Sequence, residues 1–376
     1  MNRTKKFAAL SAAAVLALAA CGSDSDEAEE PAEEPAEEPA EEPAEEPAEE
    51  PEAAFNVGLT FDIGGRGDQS FNDSAAAGMD VAVAELGVTA TELVPNEDGS
   101  NRAELLQLQA DSSELVIGVG FLFADDVAAV AADNPDTSFA VIDDAMLDFD
   151  NGGVPRGDNI AGLTFAEEQG SFLVGAAAAL KSETDVVGFV GGVSGFGLIE
   201  KFEAGFEAGA KAVNPDIEIL SQYITEFPDF DGFTAPDRMK EIALSMYDGG
   251  ADIVYHAAGG SGAGLFEAAK EQSEATGSKV WGIGVDSDQY NTVSPEVQEY
   301  VLTSMLKRVD SAVFEITGTK AAGEFVAGNT VYDLSTDGVG YATSGGYVDD
   351  IADQLEDFKA QIIAGDITVP TEPGGA

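Results

Sequence analysis

Residues 55–73, FNVGLTFDIGGRGDQSFND, have the order of a strand, a glycine-rich loop and the start of a helix. The apolar run ends at Phe61, and three acids, three glycines and a Phe-Asn pair follow. In parallel α/β folds, ligands bind beyond the carboxyl ends of the strands, where this loop lies. The stretch therefore predicts an α/β fold with a binding loop after its first strand.

The same alternation continues along the next 300 residues. Strand character is found in FNVGLTF, ELVIGVG, SFAVID, NIAGLTF, VVGFVGG, IEILSQYI, DIVYHAA and VWGIGVD. Amphipathic patterns predict helices over 74–86, 102–111, 125–133, 167–180, 199–212, 236–247, 264–272 and 301–322. Parallel sheets with helices on both faces follow from this order, and the length favours two lobes over one.

The N-terminus predicts export and anchoring. Residues 1–20 have basic residues followed by an apolar, Ala-rich stretch, as in a signal peptide. The ending LAACGS has the form of a bacterial lipobox, so the single cysteine, Cys21, is the expected lipidation site. We therefore expect a protein that is lipid-anchored at the extracytoplasmic face of the cell membrane. An ordinary cleavage site beside an incidental cysteine is the alternative.

Residues 21–54 predict a tether. Proline recurs at every fourth position from Pro31 to Pro51, and glutamate pairs stand between the prolines. Proline removes helix donors and like charges repel, so we expect an extended, solvated spacer with a reach of roughly 60–90 Å.

The charge excludes some partners. The formal net charge is -54, and residues 55–376 hold 55 Asp or Glu against 14 Lys or Arg. So acidic a chain is not expected to bind nucleic acid or an anionic lipid surface. The acidity also suits a high-salt habitat, a hypothesis that equal stability in dilute and molar salt would contradict.

Acids, glycines and aromatic residues collect at the predicted strand ends. Besides the opening loop, these are Asp143 and Asp144, the glycine-rich stretches 191–197 and 257–264, Phe230 and Phe233, and Asp286. Phenyl rings could enclose a planar group, and carboxylates accept hydrogen bonds from sugar hydroxyls. The stretch 257–264 lacks the Lys-Ser/Thr of a phosphate-binding loop. This composition indicates a small polar ligand with a flat apolar part.

Several long motifs closely resemble the basic membrane protein (BMP) lipoprotein family, which includes the purine-nucleoside receptor A lipoproteins. They are VGLTFDIGGRGDQSFNDSAAAG, NIAGLTFAEEQGSFLVGAAAAL, KFEAGFEAGAKAVNPD, YHAAGGSGAGLFEAAKE, GIGVDSDQ and VLTSMLKRVDSAVFE. The resemblance implies a type 1 periplasmic binding protein with two Rossmann-like lobes and a three-segment hinge. It implies an N-terminal lobe of 55–163 plus 288–325 and a C-terminal lobe of 164–287 plus 326–376. It also implies a monomer that captures nucleosides, purine above all, for an ABC permease.

The resemblance also implies a pocket. Phe71 and Phe233 resemble the two base-stacking rings, with Phe230 as the alternative to the second. Asn72 and Asp143 resemble the groups that face the base edge, with Asp144 as the alternative to Asp143. The remaining matches are Asp62 and Asp286 for the ribose, Gly260 for a backbone contact, and Lys307 near the ribose with Arg308 as its alternative.

Other residues have structural interpretations. Asp68 and Ser70 precede a helix and are expected to cap it. His256, the single histidine, lies in an apolar strand, and we expect it and Trp281 to be core residues. Without a GxSxG motif or a dense acid cluster, we expect no enzyme, no cofactor and no metal. A sugar- or autoinducer-type binding or sensing protein on the same fold is the alternative, and a nucleoside hydrolase is a more remote one.

Overall fold

A computed structural model describes residues 55–96 and 98–374. The predicted signal peptide, Cys21 and the tether lie outside the described residues. Everything described belongs to one compact unit, 51–376. Among the described helices, none has the length and apolar character needed to cross a bilayer.

Strands and helices alternate along the chain. The strands are β1 Asn56–Thr60, β2 Thr89–Leu93, β3 Leu115–Gly118, β4 Ser138–Ile142, β5 Leu147–Asp148, β6 Val154–Pro155, β7 Ile160–Phe165, β8 Val186–Ser194, β9 Glu218–Glu226, β10 Ile253–Ala257, β11 Trp281–Asp286, β12 Val301–Lys307, β13 Gly328–Tyr332 and β14 Val339–Tyr341. The helices are α1 Phe71–Leu86, α2 Arg102–Ala110, α3 Ala124–Asp133, α4 Glu167–Lys181, α5 Leu198–Val213, α6 Pro236–Asp248, α7 Ala263–Thr276, α8 Gln289–Thr292, α9 Val309–Ala321 and α10 Ala352–Ala364.

Two six-stranded sheets form two lobes. The first has the order β13-β7-β4-β3-β1-β2 and is parallel throughout, and the second has the order β14-β12-β11-β10-β8-β9 with only β14 antiparallel. Central strands such as β3 and β4 are buried along their whole length because helices cover both faces. Each sheet reverses its winding direction once, between β1 and β3 and between β8 and β10, which creates a crevice at the carboxyl ends of those strands.

The chain passes between the lobes three times, so the expected three-segment hinge is present. The passages lie between β7 and α4, between β12 and α9, and between β13 and the residues that lead to β14. Helix α9 returns to the first lobe and packs on α1.

The expected lobe boundaries are wrong in part. Residues 301–307 form β12 of the second sheet, although 288–325 was assigned to the N-terminal lobe. Residues 328–332 form β13 of the first sheet, although 326–376 was assigned to the C-terminal lobe. The predicted helix 301–322 is also wrong in part, because only 309–321 is helical. The run VLTSMLK is buried between β11 and β14, so it shows no alternation that would separate a strand from a helix.

Candidate functional site

A cavity of about 280 Å³ lies between the two lobes. Its walls come from the loops that follow β1, β3 and β4 of the first sheet and β8, β9, β10 and β11 of the second. The cavity therefore occupies the crevices where both sheets reverse their winding direction, which is the usual ligand position in such folds. Its size lies just below the usual range for small-molecule pockets, roughly 300–1,000 Å³.

The structure brings all eight residues of the expected pocket to this one cavity. They are Asp62, Phe71, Asn72, Asp143, Phe233, Gly260, Asp286 and Lys307. Of the three alternatives left open by the sequence, none lines the cavity. Asp144 instead accepts a hydrogen bond from the backbone N–H of Met146 in a turn, and Arg308 pairs with Asp310.

The loop after β1 is held by its own side chains. The Asn72 Oδ1 accepts a hydrogen bond from the Asp62 N–H at 3.0 Å, and the Asn72 Nδ2 donates to the Ile63 carbonyl at 3.4 Å. Asp68 accepts from the N–H groups of Ser70, Asn72 and Asp73 and so caps α1, as expected. The side chain of Asn72 thus shapes the loop, and this competes with the base-edge contact expected for it.

The side chain of Ser70 does not cap α1, so the capping role expected for it is wrong. Its Oγ donates to the Asp286 Oδ2 at 2.5 Å, from the first lobe to the second. The Ser70 carbonyl accepts from the Ser287 Oγ, and the Gln69 carbonyl accepts from the Gln289 Nε2. These bonds join the lobes beside the cavity.

Four carboxyl groups in the cavity lining, those of Asp62, Asp68, Asp143 and Asp286, have raised pKa values, and burial is the largest cause for each. Burial raises the pKa of Asp286 to about 7 and those of Asp62 and Asp143 to about 6. For Asp62, the Arg102 guanidinium 3.9 Å away opposes this effect. Asp143 and Asp286 also have positive φ angles of 71° and 63°, a left-handed conformation that is uncommon for non-glycine residues.

Lys307 is the buried cation of the site. Its side chain is 2% exposed, and its Nζ lies 2.7 Å from Asp143 and 3.2 Å from Glu167. Burial alone lowers the pKa of Lys307, but these two carboxylates and Asp286 outweigh burial and raise it. The Nζ also lies 5.2 Å from the centroid of the Phe71 ring. The ammonium group is therefore charged and fixed against one of the expected stacking rings.

Aromatic residues from both lobes line the cavity. Phe71 belongs to the first lobe and Phe233 to the second. A Cβ built on Gly192 would lie 2.5 Å from the Phe233 ring, so glycine is required where this ring crosses β8. A Cβ on Gly120 would likewise lie 2.4 Å from the Asp62 carboxylate. Glycines thus make room for the ring and for the acid.

Phe230, the alternative to Phe233, belongs to a different group of rings, which we name the rim cluster: Phe121, Phe196, Phe227 and Phe230. Phe121 of the first lobe stacks on Phe196 of the second with ring centroids 4.7 Å apart. Phe230 contacts both of these rings and Phe227, which is 56% exposed. The rim cluster therefore joins the lobes on the solvent-facing side of the cavity.

The other singled-out side chains lie outside the cavity lining. His256 is fully buried, as expected, and its Nε2 is 2.8 Å from the Gln289 Oε1. That oxygen also accepts from the Val285 N–H, and burial lowers the pKa of His256 to about 4, so the ring is neutral. Trp281 is only partly buried and packs against Tyr347.

Sequence reasoning missed Glu167, Ser70 and the pair Phe121–Phe196 as parts of this region. Glu167 is 1% exposed and begins α4 directly after the chain leaves the first lobe. Acidic residues are common in the first turn of a helix, so the sequence alone gave no sign that Glu167 is buried against Lys307. Within 55–96 and 98–374, no group of three or more His, Cys, Asp or Glu side chains is arranged to hold a metal ion.

Comparisons with known proteins agree with this architecture. The family model described as "ABC transporter substrate-binding protein PnrA-like" matches residues 55–372. A CD4+ T-cell-stimulating antigen of Listeria innocua is 34% identical, with 95% of each chain covered. The ABC transporter nucleoside-binding protein BmpA of Lactococcus lactis is 33% identical, covering 84% of this chain and 88% of its own.

Among solved structures, an ABC transporter solute-binding protein of Aeropyrum pernix aligns with a TM-score of 0.70 and 26% identity, covering 85% of this chain and 94% of that one. The fold is thus the expected type 1 periplasmic binding protein fold. The matched length, the two lobes and the cavity between them place the chain in the BMP family of ABC transporter substrate-binding proteins.

Proposed function

We propose that this protein binds a nucleoside, most favourably a purine nucleoside, in the cavity between its lobes. The observation that carries the proposal is the composition of that cavity: two phenyl rings from each lobe, Phe71 and Phe121 from the first and Phe202 and Phe233 from the second, together with the carboxyl groups of Asp62, Asp68, Asp143 and Asp286. Rings favour a planar base, and ionised carboxylates favour hydroxyl donors. The nucleoside-binding relative in Lactococcus lactis supports the same reading.

In this proposal each group has a role. Phe71 and Phe233 contact the faces of the base, and Asp143 accepts from its edge. Asp62 and Asp286 accept from ribose hydroxyls, Gly260 offers its backbone, and Lys307 lies beside the ribose. Asn72 keeps the loop after β1 in place through its bonds to residues 62 and 63. A phosphate group would meet four carboxyl groups and the one ammonium group of Lys307 in the cavity lining, so nucleotides are disfavoured.

The proposal also includes delivery. Cys21 carries the lipid anchor, residues 21–54 space the folded part from the membrane, and the closed lobes present the ligand to an ABC permease. The protein acts as a monomer and by binding rather than by catalysis. A ligand that contacts both lobes stabilises the closed arrangement, because contacts made in only one arrangement shift the equilibrium towards it.

A thermal-shift panel of nucleosides, free bases, nucleotides and sugars tests the ligand class. We expect purine nucleosides to raise the Tm most and nucleotides to have little effect. A response to sugars alone would instead identify a sugar-type binder. Release of free base during incubation, followed by chromatography, would identify a hydrolase.

A further inference from the structure

A row of alternating charges passes from the cavity through the hinge to the surface of the second lobe. We name it the hinge ion chain: Asp143, Lys307, Glu167 and Lys201. The Lys307 Nζ lies 2.7 Å from Asp143 and 3.2 Å from Glu167, and the Lys201 Nζ lies 3.1 Å from the other Glu167 oxygen. The side chains of Asp143, Lys307 and Glu167 are 5%, 2% and 1% exposed. The side chain of Lys201 is 32% exposed.

The hinge ion chain lies at two of the three passages of the polypeptide between the lobes. Lys307 is the last residue of β12, directly before the chain crosses to α9. Glu167 is the first residue of α4, directly after the chain has crossed from β7. Asp143 follows β4 in the first lobe, and Lys201 lies on α5 of the second. The four groups therefore connect the cavity wall of one lobe with the surface of the other.

We propose that Glu167 and Lys201 are positioning residues: through Lys307 they fix the ammonium group in the cavity and set the charge that Asp143 presents to the ligand. The proposal rests on the proposed function for its effect on binding, but the geometry of the hinge ion chain exists without a ligand. A buried cation is costly in a low-dielectric site unless opposite charges and hydrogen bonds compensate its desolvation. Glu167 supplies the second opposite charge, and Lys201 in turn neutralises Glu167.

Glu167 and Lys201 have opposite effects on the ionisation of Asp143. Burial raises the pKa of Asp143, Lys307 and Lys201 lower it, and Glu167 raises it again. The other acids around the cavity are Asp62, Asp68 and Asp286. Asp62 interacts with Asp143 and Asp68, and Asp286 interacts with Lys307, Asp68 and Asp143. Loss of the Glu167 charge should therefore favour an ionised Asp143, whereas loss of the Lys201 charge should favour a protonated one.

Two isosteric or near-isosteric variants test this pair of opposite effects. We expect Glu167→Gln to lower the titration midpoint of the Asp143 carboxyl group by on the order of half a unit to one unit, and Lys201→Gln to raise it by a smaller amount. The measurement is a carbon-13 NMR titration of ligand-free protein with labelled aspartate, assigned through Asp143→Asn. Lys201→Gln changes a partly exposed residue, so it keeps the test valid if Glu167→Gln fails to fold.

The matched controls are Glu207→Gln and Lys211→Gln, which remove the two charges of an ion pair on α5. Both should leave the Asp143 midpoint near its wild-type value. Shifts in the same direction for the two test variants, or no shift in either, would overturn the proposal.

A second readout follows nucleoside affinity against pH in the same variants, and its midpoint should move in the same directions. If wild-type protein binds no nucleoside while the Asp143 titration shifts as expected, the proposed function fails and the hinge ion chain stands. If nucleosides bind but neither titration nor pH profile changes, the hinge ion chain fails and the proposed function stands.

Discussion

The two ends of the cavity are built from opposite chemistry. At the hinge end, Lys307 and Asp143 are buried and charged or ionisable, with Asp286 beside them. At the solvent-facing end, the lobes meet through the rim cluster, where Phe121 of one lobe stacks on Phe196 of the other. Charges act strongly where water is excluded, while apolar surfaces associate without directional constraint. The hinge end is thus suited to selecting the ligand, and the rim cluster to closing the lobes over it.

Removal of the hinge cation should have the largest effect. Lys307→Met leaves the buried carboxylates of Asp143 and Glu167 facing each other, and we expect a loss of about 3–5 kcal/mol in the free energy of unfolding. Denaturant unfolding measures it. Arg308→Gln is the matched control, since Arg308 is 41% exposed and pairs with a neighbouring surface acid. Equal stability of the two variants would show that the ion pairs at the hinge carry little energy.

Acid should weaken binding through the hinge end. The carboxyl groups of Asp62, Asp143 and Asp286 have pKa values raised to about 6–7, so they lose their charge as the pH falls through this range. If the ligand donates to the ionised forms, its affinity should fall by about 10–100-fold between pH 8 and 5, with protons released on binding at intermediate pH. Calorimetry in buffers of different ionisation enthalpy measures both quantities. A flat profile would exclude ionised carboxylates from recognition.

The same three groups have the opposite effect on the ligand-free protein. Because their pKa values are raised by folding, the protonated forms favour the folded state below about pH 4, and this contribution is lost as the pH rises to about 7. A nucleoside should restore stability most at the higher pH. Thermal unfolding with and without ligand at both pH values checks this sign.

Truncation of one stacking ring should weaken nucleoside binding somewhat less than the change from pH 8 to pH 5 does. Phe71→Ala and Phe233→Ala should each weaken nucleoside affinity by about 10–50-fold, as is common for buried aromatic anchors, with the fold preserved by circular dichroism. The matched control is Phe230→Ala, from the same short segment but outside the cavity lining. Wild-type affinity in both Phe71→Ala and Phe233→Ala would show that the base does not lie between the two rings.

The smallest effect is expected at the rim cluster. Phe196→Ala removes the stacking contact with Phe121, worth about 0.5–1.5 kcal/mol, and should weaken binding by about 2–10-fold while the ligand-free protein opens. Small-angle scattering with and without ligand reports the opening. If Phe196→Ala weakened binding more than Phe71→Ala, recognition would lie at the rim rather than at the hinge.

Sequence patterns predicted most of the fold because the central strands and their helices follow simple periodicity. The eight runs from FNVGLTF to VWGIGVD all form strands, and the expected two-lobed architecture is present. β12 was predicted as part of a helix, because its run VLTSMLK shows no alternation that would separate a strand from a helix. Edge strands such as β2 carry too few apolar residues to be recognised.

The eight site residues could be named from motifs, but their partners could not. Nothing in the local sequence indicates that Ser70 reaches Asp286, more than two hundred residues later, or that Glu167 pairs with Lys307. Asn72 is expected at the base edge because its motif resembles that of the BMP family, whereas its hydrogen bonds depend on how the loop folds back on itself. Long-range polar contacts of this kind depend on the assembled fold rather than on periodicity.

A crystal structure grown with a purine nucleoside tests the central claim most directly. The account predicts the base between the rings of Phe71 and Phe233, with ribose hydroxyls donating to Asp62 and Asp286. A nucleoside bound outside this cavity, or inside it with the base away from both rings, would contradict the account.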